Sequence, residues 1–332
     1  MAIYYILLFV SALIFSLQFL ITRQYQRRNG TGFVSSVRLS LFAYLAIALF
    51  FFIKGSVTMG QINFGFSWFT LLMTLLVSVV GLSCVYMGIK VLAVGDMSIY
   101  SVFMMLGSLL LPSLVGLIFY GEELTLIKGI AFVCMFSAIV LSVSSIDKSK
   151  LTLKAFLYYV GIFVMNGMIG VLFTVHQNQP KLTASVITNA DGSFALNNDV
   201  FMTWYGLSTV ILCSVVYLVF FIMQKVKGRK NAETLDAVTE SKAVGESVLK
   251  GFLITVALAA AYGLCNGLGD YFIALATQPH ALGSSVTFPI INGGTILFST
   301  VVGIVLYKEK LKPTTIVSLV LVIVATVLFM FV

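Results

Sequence analysis

The sequence predicts an all-α polytopic membrane protein, with ten transmembrane helices arranged as two inverted five-helix repeats around a central cavity. Of its 332 residues, 60% are hydrophobic and only 10% are charged, too few to cover the surface of a water-soluble globule. The mean hydropathy of +1.07 favours a surface that faces lipid. A series of long apolar segments and one repeated motif complete the prediction.

Ten apolar segments reach or approach the roughly 20 residues that a spanning helix needs. In chain order they are 1–22, 33–53, 67–92, 97–119, 126–146, 153–175, 200–224, 250–277, 281–306 and 313–331. The first has neither a positively charged start nor a small-residue cleavage pattern before Arg23, so we expect a retained helix and not a signal peptide.

Most connections between these segments are short, but 176–199 and 225–249 are longer and polar. Neither has the apolar periodicity needed to form a core, so we expect loops or short surface helices. The chain then divides into a first repeat over 1–147 and a second, inverted repeat over 148–332.

The basic residues predict the orientation of the helices. All but three of the 20 Lys and Arg residues fall on the side that carries the loops after helices one, three, five, seven and nine. The exceptions are Lys54, Lys128 and Lys181. Because cytoplasmic loops are enriched in Lys and Arg, both termini are predicted to be extracytoplasmic.

An internal repeat relates helix four to helix nine. Residues 107–124 (GSLLLPSLVGLIFYGEEL) align with 294–311 (GTILFSTVVGIVLYKEKL). The identical pairs are Gly107/Gly294, Leu110/Leu297, Val115/Val302, Gly116/Gly303, Tyr120/Tyr307, Glu122/Glu309 and Leu124/Leu311. Helices five apart run in opposite directions through a membrane, so the repeat is predicted to be inverted, as in many transporter folds.

With this arrangement and the shared ending Gly-x3-Tyr-x-Glu-x-Leu, the chain resembles the EamA-like family of the drug/metabolite transporter superfamily. The resemblance is specific around helices three to five and eight to ten. It implies a basket of ten helices whose cavity is lined by helices one, three, four, six, eight and nine, with five and ten peripheral. It also implies alternating access. The two long loops depart from the family pattern and leave the substrate open.

Asp270 is the charged residue that lies inside a predicted span away from its ends. A central Asp costs about 2.5 to 3.5 kcal/mol on insertion scales, which favours a functional role. Asn266 and Tyr262 precede it by four and eight residues, so all three share one face of helix eight. We expect Asp270 to pair with a cationic substrate or to exchange a proton; a buried structural cap is the alternative.

Helix nine contains Pro289 and the pair Gly293 and Gly294, and helix four contains Pro112. Proline frees a carbonyl and glycine permits close approach, so these positions are candidate hinges, with simple packing as the alternative. Further substrate-binding candidates are polar or aromatic residues on the helices that the resemblance implies line the cavity. They are Gln18, Tyr86, Tyr100, Tyr159, Asn166 and Asn292.

These features predict a secondary transporter of a small metabolite or drug-like solute in a plasma membrane of the bacterial inner-membrane type. We expect export, with proton coupling as an option; uptake of a small organic cation such as a choline-like amine is the alternative. An intramembrane enzyme is disfavoured because the sequence has no GxSxG, HExxH or paired intramembrane Asp. We expect no cofactor, metal or nucleic acid, and a monomer or weak homodimer surrounded by membrane lipids.

Overall fold

A computed structural model gives the fold of most of the chain. It describes residues 2–60, 62, 64–94, 97–121, 123–145, 152–183, 186–188, 194–196, 198–226, 248–277, 281–282, 284–308 and 311–331. Glu122, Glu309 and most of the predicted loop 225–249 lie outside these described residues.

Ten α-helices make up nearly all of the described structure. They are α1 (Ala2–Asn29), α2 (Phe33–Met59), α3 (Trp68–Val94), α4 (Met97–Phe119), α5 (Leu126–Ser145), α6 (Leu153–Gln177), α7 (Asn198–Val226), α8 (Val248–Ala276), α9 (Ser284–Tyr307) and α10 (Pro313–Met330). The all-α prediction with ten helices is confirmed for this part of the chain.

Eight of the described helices are long and apolar enough to cross a membrane, while α5 and α10 contain shorter apolar stretches. Large apolar side chains such as Ile53, Val133 and Val305 are exposed on the outside of the bundle. A water-facing surface would not favour so many exposed apolar groups, whereas lipid does. By helix length and hydropathy, the chain is a multi-pass integral membrane protein.

Two helices extend further than the apolar pattern predicts. The first continues to Asn29 and the second to Met59, against predicted ends at 22 and 53. The extensions contain basic residues such as Arg27 and Lys54, whose long side chains can cover apolar surface while their charges reach polar surroundings. Apolar run length therefore underestimated both helices.

The segment predicted as loop or short surface helix over 176–199 contains regular structure. A short 3-10 helix covers Pro180–Leu182, and strands β1 (Val186–Thr188) and β2 (Phe194–Leu196) pair antiparallel, with Ile187 opposite Ala195. The intervening sequence contains Asp191-Gly192, a pair typical of hairpin turns. A hairpin so short carries little hydrophobic periodicity, which is why the pattern did not predict it.

The helices pack as a set of pairs around the middle of the bundle. Extensive contacts join α2 to α7 and α8, α6 to α3 and α4, α1 to α8 and α9, α3 to α7, α4 to α9, and α5 to α10. If five is added to each helix number, with α1 counted after α10, every pair in this set becomes a pair of the same set. For example, α4 with α6 becomes α9 with α1, and α3 with α6 becomes α8 with α1.

Two glycines allow other helices to approach α2 at backbone distance. A Cβ built on Gly206 of α7 would lie 2.6 Å from the backbone nitrogen of Ala48. A Cβ on Gly263 of α8 would collide with the carbonyl oxygen of Ala43. Small residues at such crossings are how membrane helices gain close packing.

Candidate functional site

A cavity of about 60 Å³, measured for the centres of water-sized molecules, lies between the helices. One water needs about 10 to 15 Å³ on this measure, so the space holds several waters or one small organic molecule. Eight helices supply lining residues, namely the six that the family resemblance implies and also α2 and α7. No described residue of α5 or α10 lines it.

The lining is mostly aromatic and apolar with a few polar groups. Aromatic side chains come from Phe15, Tyr44, Tyr100, Phe173, Tyr205, Tyr262 and Phe288. Polar side chains come from Ser108, Asn166, Asn266, Asp270 and Asn292. Apolar walls with a few convergent polar groups are the usual composition of a small-molecule site.

Among the described residues that line the cavity, Asp270 is the one acidic side chain and none is Lys, Arg or His. Its side chain is 8% exposed, and its Oδ2 accepts a hydrogen bond of 2.9 Å from Asn266 Nδ2. Among the described residues, no basic side chain forms an ion pair with it, and its Oδ1 has no hydrogen-bond donor. A buried carboxylate usually has a countercharge or several donors.

A hydrogen-bonded chain connects Asp270 to α1. Gln18 Nε2 donates to Asn266 Oδ1 at 3.0 Å, and Asn266 in turn donates to Asp270. Because one Asn266 amide group uses its oxygen toward Gln18 and its nitrogen toward Asp270, the carboxylate is held in a defined orientation. Gln18 thus positions Asn266 and is not itself part of the cavity lining.

A second polar cluster stands on α4, α6 and α9. Ser108 Oγ donates to Asn292 Oδ1 at 2.9 Å, and Asn166 Nδ2 donates to the Met104 carbonyl oxygen at 2.7 Å. Asn292 Nδ2 is buried, and no described residue accepts a hydrogen bond from it. The cluster joins the two helices that carry the sequence repeat, α4 and α9.

The α2–α7 contribution to the cavity is a pair of tyrosines that sequence reasoning missed. The Tyr44 and Tyr205 hydroxyls lie 2.7 Å apart, and their rings meet edge to face with centroids 5.0 Å apart. Tyr44 is the single tyrosine of α2, and Tyr205 is one of two in α7. Their positions near Gly206, where α2 and α7 come closest, could not be inferred from spacing within one helix.

The structure brings most of the predicted binding residues to the cavity, but Gln18, Tyr86 and Tyr159 are not in its lining. Tyr262, Asn266, Asp270, Asn292, Tyr100 and Asn166 are all in the lining. Tyr86 instead packs against Phe33 and Tyr158. Tyr159 is buried against Phe103.

The candidate hinge positions lie inside continuous helices. Helix α4 runs through Pro112, and α9 runs through Pro289, Gly293 and Gly294. A Cβ on Gly293 would collide with Thr326 Oγ1 of α10, and one on Gly294 would lie 2.9 Å from Ala12 Cβ of α1. Both glycines therefore permit close helix packing in this conformation.

An ion pair at one end of the bundle was also missed. Lys54 Nζ of α2 lies 2.7 Å from Asp199 Oδ1 of α7. The predicted spans ended at 53 and began at 200, so both residues were assigned to loops. Among the described residues, no group of three or more His, Cys, Asp or Glu side chains is placed to hold a metal ion.

Comparison with known proteins supports the fold. No protein-family model and no curated protein matches the sequence. A protein crystal structure that is 12% identical in sequence superposes with a TM-score of 0.61, over 98% of this chain and 94% of that chain. At this identity the similarity concerns the fold alone. The molecule is thus a multi-pass membrane protein of helical fold with a polar centre inside its bundle.

Proposed function

We propose that the chain is a secondary transporter, and not an enzyme, that moves a small organic solute across the membrane. The observation that supports this best is Asp270, a carboxylate with no countercharge among the described residues, facing a cavity inside an apolar helix bundle. An intramembrane ionisable group of this kind usually marks a substrate or ion pathway. The missing positive charge is then supplied by the solute or by a proton.

The mechanism that we propose is alternating access between two inverted halves, 1–147 and 148–332. Two independent features support it: the aligned motif of α4 and α9, and the exchange of packed helix pairs when every helix is advanced by five. A repeat of this kind lets the same contacts form alternately at either end of a central site. Membership of the EamA-like family is part of this proposal.

A small organic cation is the solute class that the cavity chemistry favours. Tyr44, Tyr100, Tyr205 and Tyr262 line the same space as Asp270, and aromatic faces attract organic cations. Proton coupling through Asp270 is the second candidate, because the same unpaired carboxylate could carry a proton during the cycle. We expect export. The direction of transport depends on whether the gradient of the solute or that of protons drives it.

The experiment uses the purified chain and a neutralising variant. We expect a small amine or quaternary ammonium to raise the unfolding temperature of the wild type and not that of Asp270→Asn. In proteoliposomes, Asp270→Asn should lower uptake of that solute at least about tenfold, the effect of losing one charged contact. Glu123→Gln, which neutralises an exposed carboxylate outside the helices, is the matched control.

Two outcomes separate the candidates, and a third rejects both. If only amines stabilise the protein and uptake ignores a pH gradient, Asp270 binds the solute cation. If uptake follows the pH gradient and Asp270→Asn abolishes that dependence, Asp270 carries the proton. Saturable uptake that is the same in wild type and Asp270→Asn would remove Asp270 from the mechanism.

A further inference from the structure

A polar contact near one end of the bundle joins three helices. Lys54 Nζ of α2 donates to both carboxylate oxygens of Asp199 of α7, at 2.7 and 2.9 Å. It also donates to the Tyr271 hydroxyl of α8 at 2.9 Å and lies 4.4 Å from the centre of that ring. We call Lys54, Asp199 and Tyr271 the latch.

The latch lies beyond the cavity along two of these helices. Lys54 follows the cavity residue Tyr44 by ten residues, about 15 Å along the axis of α2 at 1.5 Å per residue. Asp199 precedes Tyr205 by six residues, about 9 Å along α7. On α8 the latch residue Tyr271 directly follows Asp270 and precedes the lining residue Ile273, so on this helix the latch lies level with the cavity.

An apolar layer stands between the tyrosine pair and the latch. The Phe51 ring is 1% exposed and lies 5.2 Å from the Tyr271 ring. A Cβ on Gly267 of α8 would lie 3.1 Å from the Phe51 ring, so Phe51 fills the space between α2 and α8. Along α2, Phe51 lies between the cavity residue Tyr44 and Lys54, so a solute that moved along this helix would meet Phe51 before the ion pair.

The opposite ends of the helices are joined by different contacts. At the carboxyl end of α1, the Arg23 guanidinium lies 4.1 Å from the ring centre of Tyr307, the last residue of α9. Because α1 and α2 follow each other through a short turn, this contact and the latch lie at opposite ends of the bundle. The two ends are therefore joined by contacts between different helices.

The exposure of the ion pair suits a contact that opens and closes. The Lys54 side chain is 33% exposed and that of Asp199 is 5% exposed. Because Lys54 reaches solvent, water can replace Asp199 as its partner, so the pair contributes less net free energy than a fully buried pair would. Opening this end would hydrate both charges and so would not leave a bare charge in lipid.

We propose that the latch closes one entrance of the cavity, and that solute passes this entrance only after the Lys54–Asp199 ion pair has separated. This inference rests on the proposed transport function. By the predicted orientation, the latch entrance is the extracytoplasmic one. Lys54 and Asp199 then control the balance between the two facing states without touching the bound solute.

The native Cys84 provides a reporter for the test, because it lines the cavity and its side chain is buried. The other three cysteines, Cys134, Cys213 and Cys265, are replaced by Ala. The rate at which a membrane-impermeant methanethiosulfonate modifies Cys84 is then measured from the outside in right-side-out vesicles and from the inside in inverted vesicles.

Loss of the ion pair should favour the state that is open at the latch. We expect Lys54→Met to raise the rate of Cys84 modification from the latch side about fivefold, the population change for a contact worth about 1 kcal/mol. The rate from the other side should fall. Lys54→Arg, which can still pair with Asp199, should behave as the wild type, and so should Lys90→Met at the other end of the bundle.

Three results would overturn the latch. The first is an unchanged rate of Cys84 modification in Lys54→Met. The second is an equal rise of this rate from both sides, which indicates a loosened bundle. The third is a Lys54→Arg variant that opens like Lys54→Met. If the transport proposal fails, the result differs from all three, because wild-type Cys84 would then react from a single side under every condition. Even then, the rate from the latch side in Lys54→Met decides whether the ion pair closes that entrance.

Discussion

The carboxylate of Asp270 is oriented by two amide side chains and neutralised by none of the described basic residues. Gln18 and Asn266 fix its direction, while the Oδ1 atom stays available to whatever occupies the cavity. Inserting such a group costs about 2.5 to 3.5 kcal/mol on biological scales. An arrangement that keeps this charge partly unsatisfied is typical of a binding group and unusual for a purely structural one.

The Tyr44–Tyr205 contact makes a separate prediction at the same scale. Tyr44→Phe removes a hydrogen bond between α2 and α7 but keeps the ring packing, so we expect the free energy of unfolding to fall by about 0.5 to 1.5 kcal/mol. Unfolding in mixed micelles, followed by tryptophan fluorescence, measures the change. Tyr217→Phe, on the exposed face of α7, should be neutral. Equal losses in both variants would contradict a specific role for the hydroxyl pair.

Spacing within a single helix predicted part of the site and no more. Asn266 and Tyr262 reach the cavity because positions four and eight before Asp270 share its helix face. Tyr86 and Tyr159 were chosen only because they lie on helices three and six, and they point elsewhere. The rotation of a helix about its own axis depends on its neighbours, and a sequence without contacts does not contain it.

At the scale of the elements, close helix crossings hold the bundle together. Gly206 places α7 against the backbone of α2, and Gly263 does the same for α8. Lipid is as apolar as a leucine side chain, so tight van der Waals contact is the main source of helix association here. The latch and the tyrosine pair both bridge helices that these glycines bring together.

A pair of single-methyl changes tests this packing. Gly206→Ala would place its Cβ 2.6 Å from the Ala48 nitrogen, so the helices must separate and we expect a loss of about 1 to 3 kcal/mol. Gly129→Ala, where the new Cβ meets nothing within 4 Å, should be neutral or stabilising by up to about 1 kcal/mol. Chemical unfolding of both variants gives the comparison. A Gly206→Ala protein as stable as Gly129→Ala would refute the close crossing.

The elements themselves were largely predictable, because about 20 apolar residues in succession can hardly be anything but a membrane helix. Their ends were not. Polar residues at 54 and 199 stopped the apolar runs, yet in the structure they pair with each other and stay helical. A charge that is unfavourable alone becomes acceptable once a partner from another helix is present, and the latch was invisible in the sequence for that reason.

At the scale of the whole molecule, the distribution of basic residues predicts how the bundle sits in the membrane. Lys154 is the second residue of α6 and Lys181 follows its far end, and both side chains are exposed. In a background without native cysteines, an impermeant maleimide added to intact cells should label Lys181→Cys and not Lys154→Cys. Permeabilised cells should label both. The reverse pattern would invert the predicted topology and move the latch to the cytoplasmic side.

Solute counterflow tests the central claim, which is that this bundle is a carrier with its site at Asp270. Proteoliposomes loaded with an excess of unlabelled amine are diluted into a trace of the same labelled amine. We predict a transient accumulation of label above equilibrium that saturates with concentration and is lost in Asp270→Asn. Label that merely equilibrates without this overshoot, or an overshoot that persists in Asp270→Asn, would contradict the account.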